Sequence, residues 1–87
     1  MMSKDYPEIA EDLSASVGRL RKGIPDTMSG FAALAAAATT DGSLDPKTKE
    51  LIATAISVAV RCDGCIASHT KAAEKNGASR EEILETL

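Results

Sequence analysis

Large aromatic side chains are nearly absent from this sequence. Its 87 residues include no tryptophan, one phenylalanine and one tyrosine, and much of the apolar 44% is alanine. Alanine lets helices approach closely but buries little apolar area per residue, so the chain has little material for a private core. We therefore expect a small helical protein that completes its core by packing against copies of itself, as a homo-oligomer.

Basic clusters and long apolar runs are missing as well. The formal net charge is −3, and no aromatic side chains alternate with lysine or arginine, so nucleic acid is not an expected partner. The longest apolar-rich run, residues 51–60, is about half of the roughly 20 residues that a membrane-spanning helix needs. The N-terminal residues contain no apolar signal segment, which predicts a cytoplasmic protein with no membrane partner.

Helix signals occur throughout the chain, and we predict an all-α fold of about five helices in a single domain over residues 1–87. Asp45 before Pro46 is typical of a helix start, as is Ser79 followed by Glu82, and Gly77 is typical of a helix end. The predicted helices begin at Pro7, at 24–26, at Pro46, near Cys65 and after Ser79, and the first four end at Gly23, at 39–43, near Val60 and at Asn76.

The third predicted helix is apolar on nearly every side after Glu50. A helix without a polar face is typical of a position buried all round, which again favours oligomerisation. Residues 61–64 are expected to form a short break before the fourth helix. The fifth helix has no C-terminal cap before Leu87, so we expect the domain to continue beyond this sequence.

The only two cysteines and the only histidine lie within eight positions, as Cys62, Cys65 and His69. In a chain without a secretory signal, a C-x-x-C pair is more often catalytic or metal-binding than a structural disulfide. Three residues apart at a helix start, the two Cα atoms would be about 5 Å apart, which is within disulfide range. A helix N-terminus favours the Cys65 thiolate, and His69 lies one helical turn further on, where it can relay a proton.

Glu50 lies twelve residues before Cys62 and is a less obvious candidate. In the first turn of a helix beside Lys47 and Lys49, it can simply be a solvated surface residue. An apolar helix follows it, however, and a carboxylate at the start of such a helix can lose enough water to act as a general base.

A zinc site is the main alternative for the same four residues. Two thiolates, one imidazole and one carboxylate can complete a tetrahedral zinc shell. His69 would then have to reach the ion from the same helix as Cys65, whereas zinc sites with a C-x-x-C arm usually draw their remaining ligands from a separate segment. We therefore favour redox chemistry with neither a metal nor another cofactor. An enzyme in which the thiols are incidental, and a non-catalytic oligomeric scaffold, are further alternatives.

The pattern Glu50-x11-Cys62-x2-Cys65-x3-His69, with Asn76-Gly77-Ala78-Ser79 after it, resembles the carboxymuconolactone decarboxylase family, and more narrowly its alkylhydroperoxidase (AhpD-like) branch. The resemblance is strongest over residues 44–87. It implies a peroxidase in which Cys65 attacks a hydroperoxide and becomes a sulfenic acid that Cys62 resolves to a disulfide. It also implies a proton relay through Glu50 and His69, a lipoyl-bearing or thioredoxin-like protein as the dithiol reductant, and a homo-oligomer such as a trimer or hexamer.

Gly64 departs from the pattern of that branch. The best-known alkylhydroperoxidases of this kind have a second histidine immediately before the peroxide-reactive cysteine, at the position of Gly64. The departure favours a slower peroxidase, or a general thiol–disulfide oxidoreductase as the alternative function. Lactone decarboxylases of the family generally lack the cysteine pair, so their activity is not implied.

Overall fold

Five α-helices make up the fold, and their boundaries follow the predicted start and stop signals. A computed structural model describes residues 3–87 and contains no β-strand within that range. The predicted all-α fold class is therefore confirmed. The helices are α1 (Tyr6–Gly23), α2 (Pro25–Ala38), α3 (Pro46–Ala59), α4 (Asp63–Lys75) and α5 (Arg80–Thr86).

Side-chain caps fix the starts of α3 and α5. The Asp45 carboxylate accepts a hydrogen bond from the backbone N–H of Thr48 at 2.7 Å, and Pro46 occupies the first turn. At α5, Ser79 Oγ accepts from the Glu82 N–H at 3.0 Å, while Glu82 Oε1 accepts from the Ser79 N–H at 2.9 Å. These contacts satisfy backbone donors that have no partner inside the helix, so the predicted caps are confirmed.

The break between the third and fourth helices is shorter than the sequence suggested. α4 begins at Asp63, with Cys62 as its N-cap, so Gly64 lies inside the first turn rather than in a loop. Only residues 60–62 separate α3 from α4. The short connection holds the two helices as antiparallel neighbours, and they form the main helix pair of the fold.

The core lies around α4 and is built from small side chains. α4 contacts α1, α3 and α5, whereas α2 contacts α1 alone among the helices of residues 3–87. The buried apolar residues are Met28, Ala67, Ala73 and Ala78. Such a core buries little apolar area, and the chain is correspondingly open. Its radius of gyration is 13.8 Å, against about 12 Å for a typical domain of this length.

The single chain does not bury α3 on all sides, so the predicted all-round burial depends on the expected oligomer and stays a prediction. The buried residues of α3 are Glu50, Thr54 and Ser57, whereas Ile52 and Ile56 are exposed. The two buried hydroxyl groups are satisfied within the helix, because Thr54 Oγ1 donates to the Glu50 carbonyl at 2.8 Å and Ser57 Oγ donates to the Ala53 carbonyl at 2.6 Å. The small polar face therefore meets α4, and the bulkier apolar face points away from this chain's core.

None of the helices in residues 3–87 is both long enough and apolar enough to cross a lipid bilayer.

Candidate active site: a dithiol beside a histidine–glutamate pair

The two cysteines are joined to each other. Cys62 and Cys65 form a disulfide with their Cα atoms 5.2 Å apart. Cys62 is the N-cap of α4, and Cys65 is its third residue. The start of α4 therefore holds both residues at the Cα separation that a disulfide needs.

A backbone donor at the start of α4 points at Cys62 rather than at Cys65. The Cys65 N–H lies 3.2 Å from Cys62 Sγ and donates a hydrogen bond to it. The sequence predicted that the helix N-terminus would stabilise the Cys65 thiolate, and Cys65 does lie in the first turn. The direct N–H contact, however, favours negative charge on the Cys62 sulfur when the pair is reduced.

Glu50 and His69 form a hydrogen-bonded pair between α3 and α4. Glu50 Oε2 lies 2.7 Å from His69 Nδ1, and Glu50 is only 6% exposed. An ionised carboxylate only accepts hydrogen bonds, so Nδ1 is the donor, and Nε2 carries the lone pair when the ring is neutral. The His69 side chain is 38% exposed. The contact therefore leaves Nε2 as the nitrogen that can accept a proton.

Close packing of α3 against α4 makes that contact possible. Glu50, Thr54 and Ser57 recur at steps of four and three residues and so share one face of α3. On α4, Ala73 is fully buried and lies one turn after His69, at a spacing that places the two residues on the same face. Since Thr54 on α3 and Ala73 on α4 are small, the helices approach closely enough for the Glu50 carboxylate to reach His69.

Cys65 and His69 are one turn apart on α4, with the spacing that places side chains on the same face. The structure thus brings all four predicted residues to the facing sides and adjoining ends of two helices. Cys62 and Cys65 meet as a disulfide, and Glu50 and His69 meet as a hydrogen-bonded pair. The catalytic roles assigned to them remain predictions at this point.

Sequence reasoning missed an ion pair at the cysteine motif. Lys4 Nζ lies 3.0 Å and 2.8 Å from the two carboxylate oxygens of Asp63, the residue after Cys62. The hydrogen bond to Asp63 is the main cause that raises the pKa of Lys4 above its ordinary value of 10.5. Both side chains are well exposed, so the pair contributes little to stability. Its effect is local, because the Lys4 ammonium offsets the negative charge of Asp63 next to the cysteines. No sequence spacing links residues 4 and 63.

The chain between α3 and α4 contains an unusual backbone conformation. Arg61 has φ = 58°, and in residues 3–87 it is the one non-glycine residue with positive φ. The Cys62 N–H donates to the Ser57 carbonyl at 3.0 Å, and the Arg61 N–H donates to the Val58 carbonyl at 3.1 Å. These two bonds form a Schellman ending for α3. That ending places Cys62 directly at the start of α4. Arginine does not signal such an ending, because glycine is the usual residue at this position.

The described residues do not include a cluster of ligands that would support a zinc site. Within residues 3–87, no group of three or more His, Cys, Asp or Glu side chains is arranged to hold a metal ion. Both sulfur atoms are engaged in the disulfide, and the His69 Nδ1 is engaged by Glu50.

Comparison with known sequences assigns the chain to a family. The model of the carboxymuconolactone decarboxylase family matches residues 25–87, which is well over half of the chain. The chain belongs to the carboxymuconolactone decarboxylase family. The family resemblance predicted from residues 44–87 is therefore confirmed, and the match extends it through α2.

Individual relatives agree with this assignment. A crystal structure of a carboxymuconolactone decarboxylase family protein from Legionella pneumophila, in its apo form, is 49% identical with a TM-score of 0.87, covering 97% of this chain and 75% of that one. An uncharacterized protein from Cupriavidus necator is 38% identical over 99% of this chain and 76% of its own length. One from Haemophilus influenzae is 41% identical over 83% of this chain and 64% of its own length. The fold and the family are thus shared, while these relatives' names assign no reaction.

Proposed function

We propose that this protein is a thiol-dependent, AhpD-like oxidoreductase that reduces hydroperoxides by a dithiol–disulfide cycle. The observation that carries the proposal is the Cys62–Cys65 disulfide, placed one helical turn before a histidine that a buried carboxylate orients. A redox-active sulfur pair and an oriented proton acceptor are the two parts that this chemistry requires.

In the proposed cycle, His69 Nε2 takes the proton of the Cys65 thiol, and the Cys65 thiolate attacks the terminal hydroxyl oxygen of the hydroperoxide. The O–O bond breaks, the alkoxide takes the proton from His69 and leaves as an alcohol, and Cys65 becomes a sulfenic acid. The Cys62 thiolate then attacks the Cys65 sulfur, the S–O bond breaks, and hydroxide leaves as water after protonation. The protein dithiol has lost two electrons and the hydroperoxide has gained them.

Glu50 positions His69 in this scheme and stabilises its protonated form after proton transfer. The Cys65 N–H stabilises the Cys62 thiolate, which suits the attack on the sulfenic acid. A dithiol protein, lipoyl-bearing or thioredoxin-like, restores the reduced pair by disulfide exchange. In that exchange the incoming thiolate attacks the Cys65 sulfur, and Cys62 leaves as a thiolate. Such a supply of reducing equivalents is typical of the cytoplasm, where we place the protein.

The test counts thiols. Fully reduced protein is freed of reductant and incubated with cumene hydroperoxide, and remaining thiols are titrated in the wild type, Cys65→Ser and Cys62→Ser. We expect the wild type to lose two thiols per chain and Cys62→Ser to lose its one thiol to a sulfenic acid. Cys65→Ser should keep its thiol. Loss of the remaining thiol in Cys65→Ser at the wild-type rate would show that the roles are wrongly assigned.

A general thiol–disulfide oxidoreductase is the second candidate. The hydrogen bond from the Cys65 N–H to Cys62 Sγ favours it, because a stabilised thiolate is both a competent nucleophile and a good leaving group in disulfide exchange. If this candidate is correct, the reduced protein exchanges with small disulfides much faster than it reduces hydroperoxides.

We also propose that the protein works as a homo-oligomer. Its accessible surface is 6438 Å², against about 4,900 Å² for a typical monomer of its 9.0 kDa mass. Stable interfaces bury about 800 Å² per partner, so the excess of roughly 1,500 Å² matches one or two interfaces. Much of the exposed surface is apolar: Phe31 is 60% and Leu34 68% exposed on α2, and Ile56 is 57% exposed on α3.

Light scattering tests the assembly. The wild type is expected to elute as an oligomer, with a trimer or hexamer as the specific expectation, whereas Leu34→Glu or Ile56→Glu should shift it toward smaller species. Glu85→Lys changes an exposed charge on α5 without touching the apolar face and serves as the control. A wild-type protein that is monomeric at all accessible concentrations would contradict this proposal.

A further inference from the structure

Two helices of this fold end with the same hydrogen-bond pattern but with different residues. At the end of α4, the Ala78 N–H donates to the Ala73 carbonyl at 2.9 Å and the Gly77 N–H donates to the Glu74 carbonyl at 3.0 Å. This is the Schellman pattern already described for α3. Gly77 has φ = 92°, which costs a glycine nothing.

At the equivalent position of α3 the chain has Arg61, with φ = 58°. The left-handed conformation crowds the Cβ atom of an L residue, and among non-glycine residues Asn, Asp and His tolerate it best. Arginine therefore lies at a backbone position that favours glycine, directly before Cys62. Strained residues of this kind cluster at active sites and ligand-binding sites, where the surrounding structure maintains the strain.

The charges around the cysteine motif show what the Arg61 side chain adds. Asp63 is paired with Lys4, and Glu50 is paired with His69. Arg61 is exposed, and its guanidinium makes no hydrogen bond or ion pair to any side chain in residues 3–87. On a chain with a net charge of −3, the residue next to Cys62 is thus an uncompensated cation.

We propose that Arg61 is a specificity-determining residue that binds an anionic group, typically a carboxylate, of the substrate approaching the Cys62–Cys65 pair. The inference rests on the proposed function and names its substrate class: hydroperoxides or disulfides that carry a negative charge close to the reacting atoms. A guanidinium presents two parallel N–H donors that match a carboxylate, and it keeps its charge at every working pH. Because the protein as a whole is acidic, a local cation also offsets the repulsion of an anion from this surface.

The experiment uses disulfides, because their exchange with the dithiol needs no further reagent. One protein thiolate attacks a probe sulfur and expels one probe thiolate, which leaves a mixed disulfide. The second protein thiolate then attacks that bond, expels the other probe thiolate and closes the Cys62–Cys65 disulfide. The probe gains the two electrons that the protein dithiol loses.

Three probes of similar skeleton differ in charge: 3,3′-dithiodipropionate is anionic, 2-hydroxyethyl disulfide is neutral and cystamine is cationic. Single-turnover rates are measured with the reduced wild type and with Arg61→Gln, Arg61→Lys and Arg61→Gly. Each protein's anionic-to-neutral rate ratio is compared with that of the wild type, which cancels the intrinsic reactivity of the probes.

In Arg61→Gln we expect the anionic-to-neutral rate ratio to fall about fivefold, which corresponds to losing the attraction between two unit charges about 4 Å apart in water. The cationic probe should react faster with Arg61→Gln than with the wild type. Arg61→Lys keeps the charge and should keep most of the ratio. Arg61→Gly removes both the charge and the strain, and it should lose the ratio as Arg61→Gln does. High salt should bring the wild type and Arg61→Gln together.

The two proposals fail differently. If the wild-type dithiol reacts with all three probes but the ratio is the same in Arg61→Gln, the role of Arg61 is wrong while the redox function stands. A ratio lost in Arg61→Gly but kept in Arg61→Gln would assign the effect to backbone strain instead of charge and would equally overturn the inference. If the wild-type dithiol exchanges with none of the probes and loses no thiol to cumene hydroperoxide, the proposed function itself is wrong, and the substrate class falls with it.

Discussion

Glu50 Oε2 lies 2.7 Å from His69 Nδ1, although nineteen residues separate the two in the chain. The carboxylate is buried, whereas the imidazole is partly open to solvent. A buried carboxylate of this kind fixes the orientation of the ring and the nitrogen on which the neutral ring keeps its proton. The contact therefore turns an ordinary helix histidine into one with a single available basic nitrogen.

Replacing Glu50 with glutamine is expected to slow the oxidation of the dithiol by hydroperoxide about 10- to 100-fold, the usual effect of losing a residue that orients a reactive histidine. Glutamine is close in size and its side-chain oxygen can still accept from Nδ1–H, but it no longer stabilises the protonated ring. Stopped-flow rates with cumene hydroperoxide measure the effect. Glu85→Gln, at an exposed position of α5, is the matched control and should react like the wild type. If Glu50→Gln and Glu85→Gln react at the same rate, Glu50 takes no part in the proton relay.

Enlarging a buried alanine of α4 should damage the site through packing alone. Ala73 is fully buried, so Ala73→Leu has to push a neighbouring helix away from α4. We expect a loss of about 1–3 kcal/mol in the free energy of unfolding, measured by urea denaturation. Lys75→Leu, at an exposed position of the same helix, should change it by less than about 0.5 kcal/mol. If Ala73→Leu is as stable as the wild type, the core around α4 is looser than the structure indicates.

The two Schellman endings make opposite stability predictions. Arg61→Gly should raise the free energy of unfolding by about 0.5–1 kcal/mol, because relief of the left-handed strain exceeds the extra flexibility of the unfolded chain. Gly77→Ala should lower it by about 1 kcal/mol, since φ = 92° is strained for alanine. Thermal melts of both variants, with Arg61→Gln as an uncharged control that keeps the strain, test the pair. A lower melting point for Arg61→Gly than for the wild type would contradict the strain at residue 61.

Acid should weaken the connection between α3 and α5. The hydrogen bond from Lys47 is the main cause that lowers the pKa of Glu82 below its ordinary value of 4.5, and the Ser79 N–H adds to it. A lowered folded-state pKa means that Glu82 stabilises the fold above about pH 4.5 and that this contribution is lost as the pH falls through the lowered pKa. The difference in denaturation midpoint between the wild type and Glu82→Gln should therefore shrink from pH 7 to pH 3. A difference that does not change with pH would show that the ion pair is not formed in solution.

Local signals account for the parts of the fold that the sequence predicted well. The caps at Asp45, Ser79 and Gly77 act over three or four residues, so their effect can be read without knowledge of the rest of the chain. The start of α4 was placed slightly late, because Cys62 is not a usual N-cap residue and Gly64 resembles a helix breaker. The helix ends at the cysteine motif are set by the Schellman bonds of α3, which no composition rule indicates.

The sequence did not indicate which side of α3 is buried within the single chain. The apolar residues of α3 outnumber its polar ones, so composition alone predicts that every side of this helix is buried. The structure instead buries Glu50, Thr54 and Ser57 because α4 needs a face of small side chains to approach closely, and the two hydroxyl groups bond to their own helix. Which face of a helix meets its neighbour depends on the shapes of both helices.

The sequence by itself determined the helical class, the family and the pairing of the two cysteines, because helix caps and C-x-x-C spacing act between residues that are close along the chain. Only the tertiary structure decided that Glu50 reaches His69, that Lys4 compensates Asp63 and that Arg61 adopts a left-handed conformation beside Cys62. The first two contacts join residues far apart in sequence, and such contacts form only where packed helices bring them together. The third follows from the way α3 has to end so that α4 can turn back and pack against it.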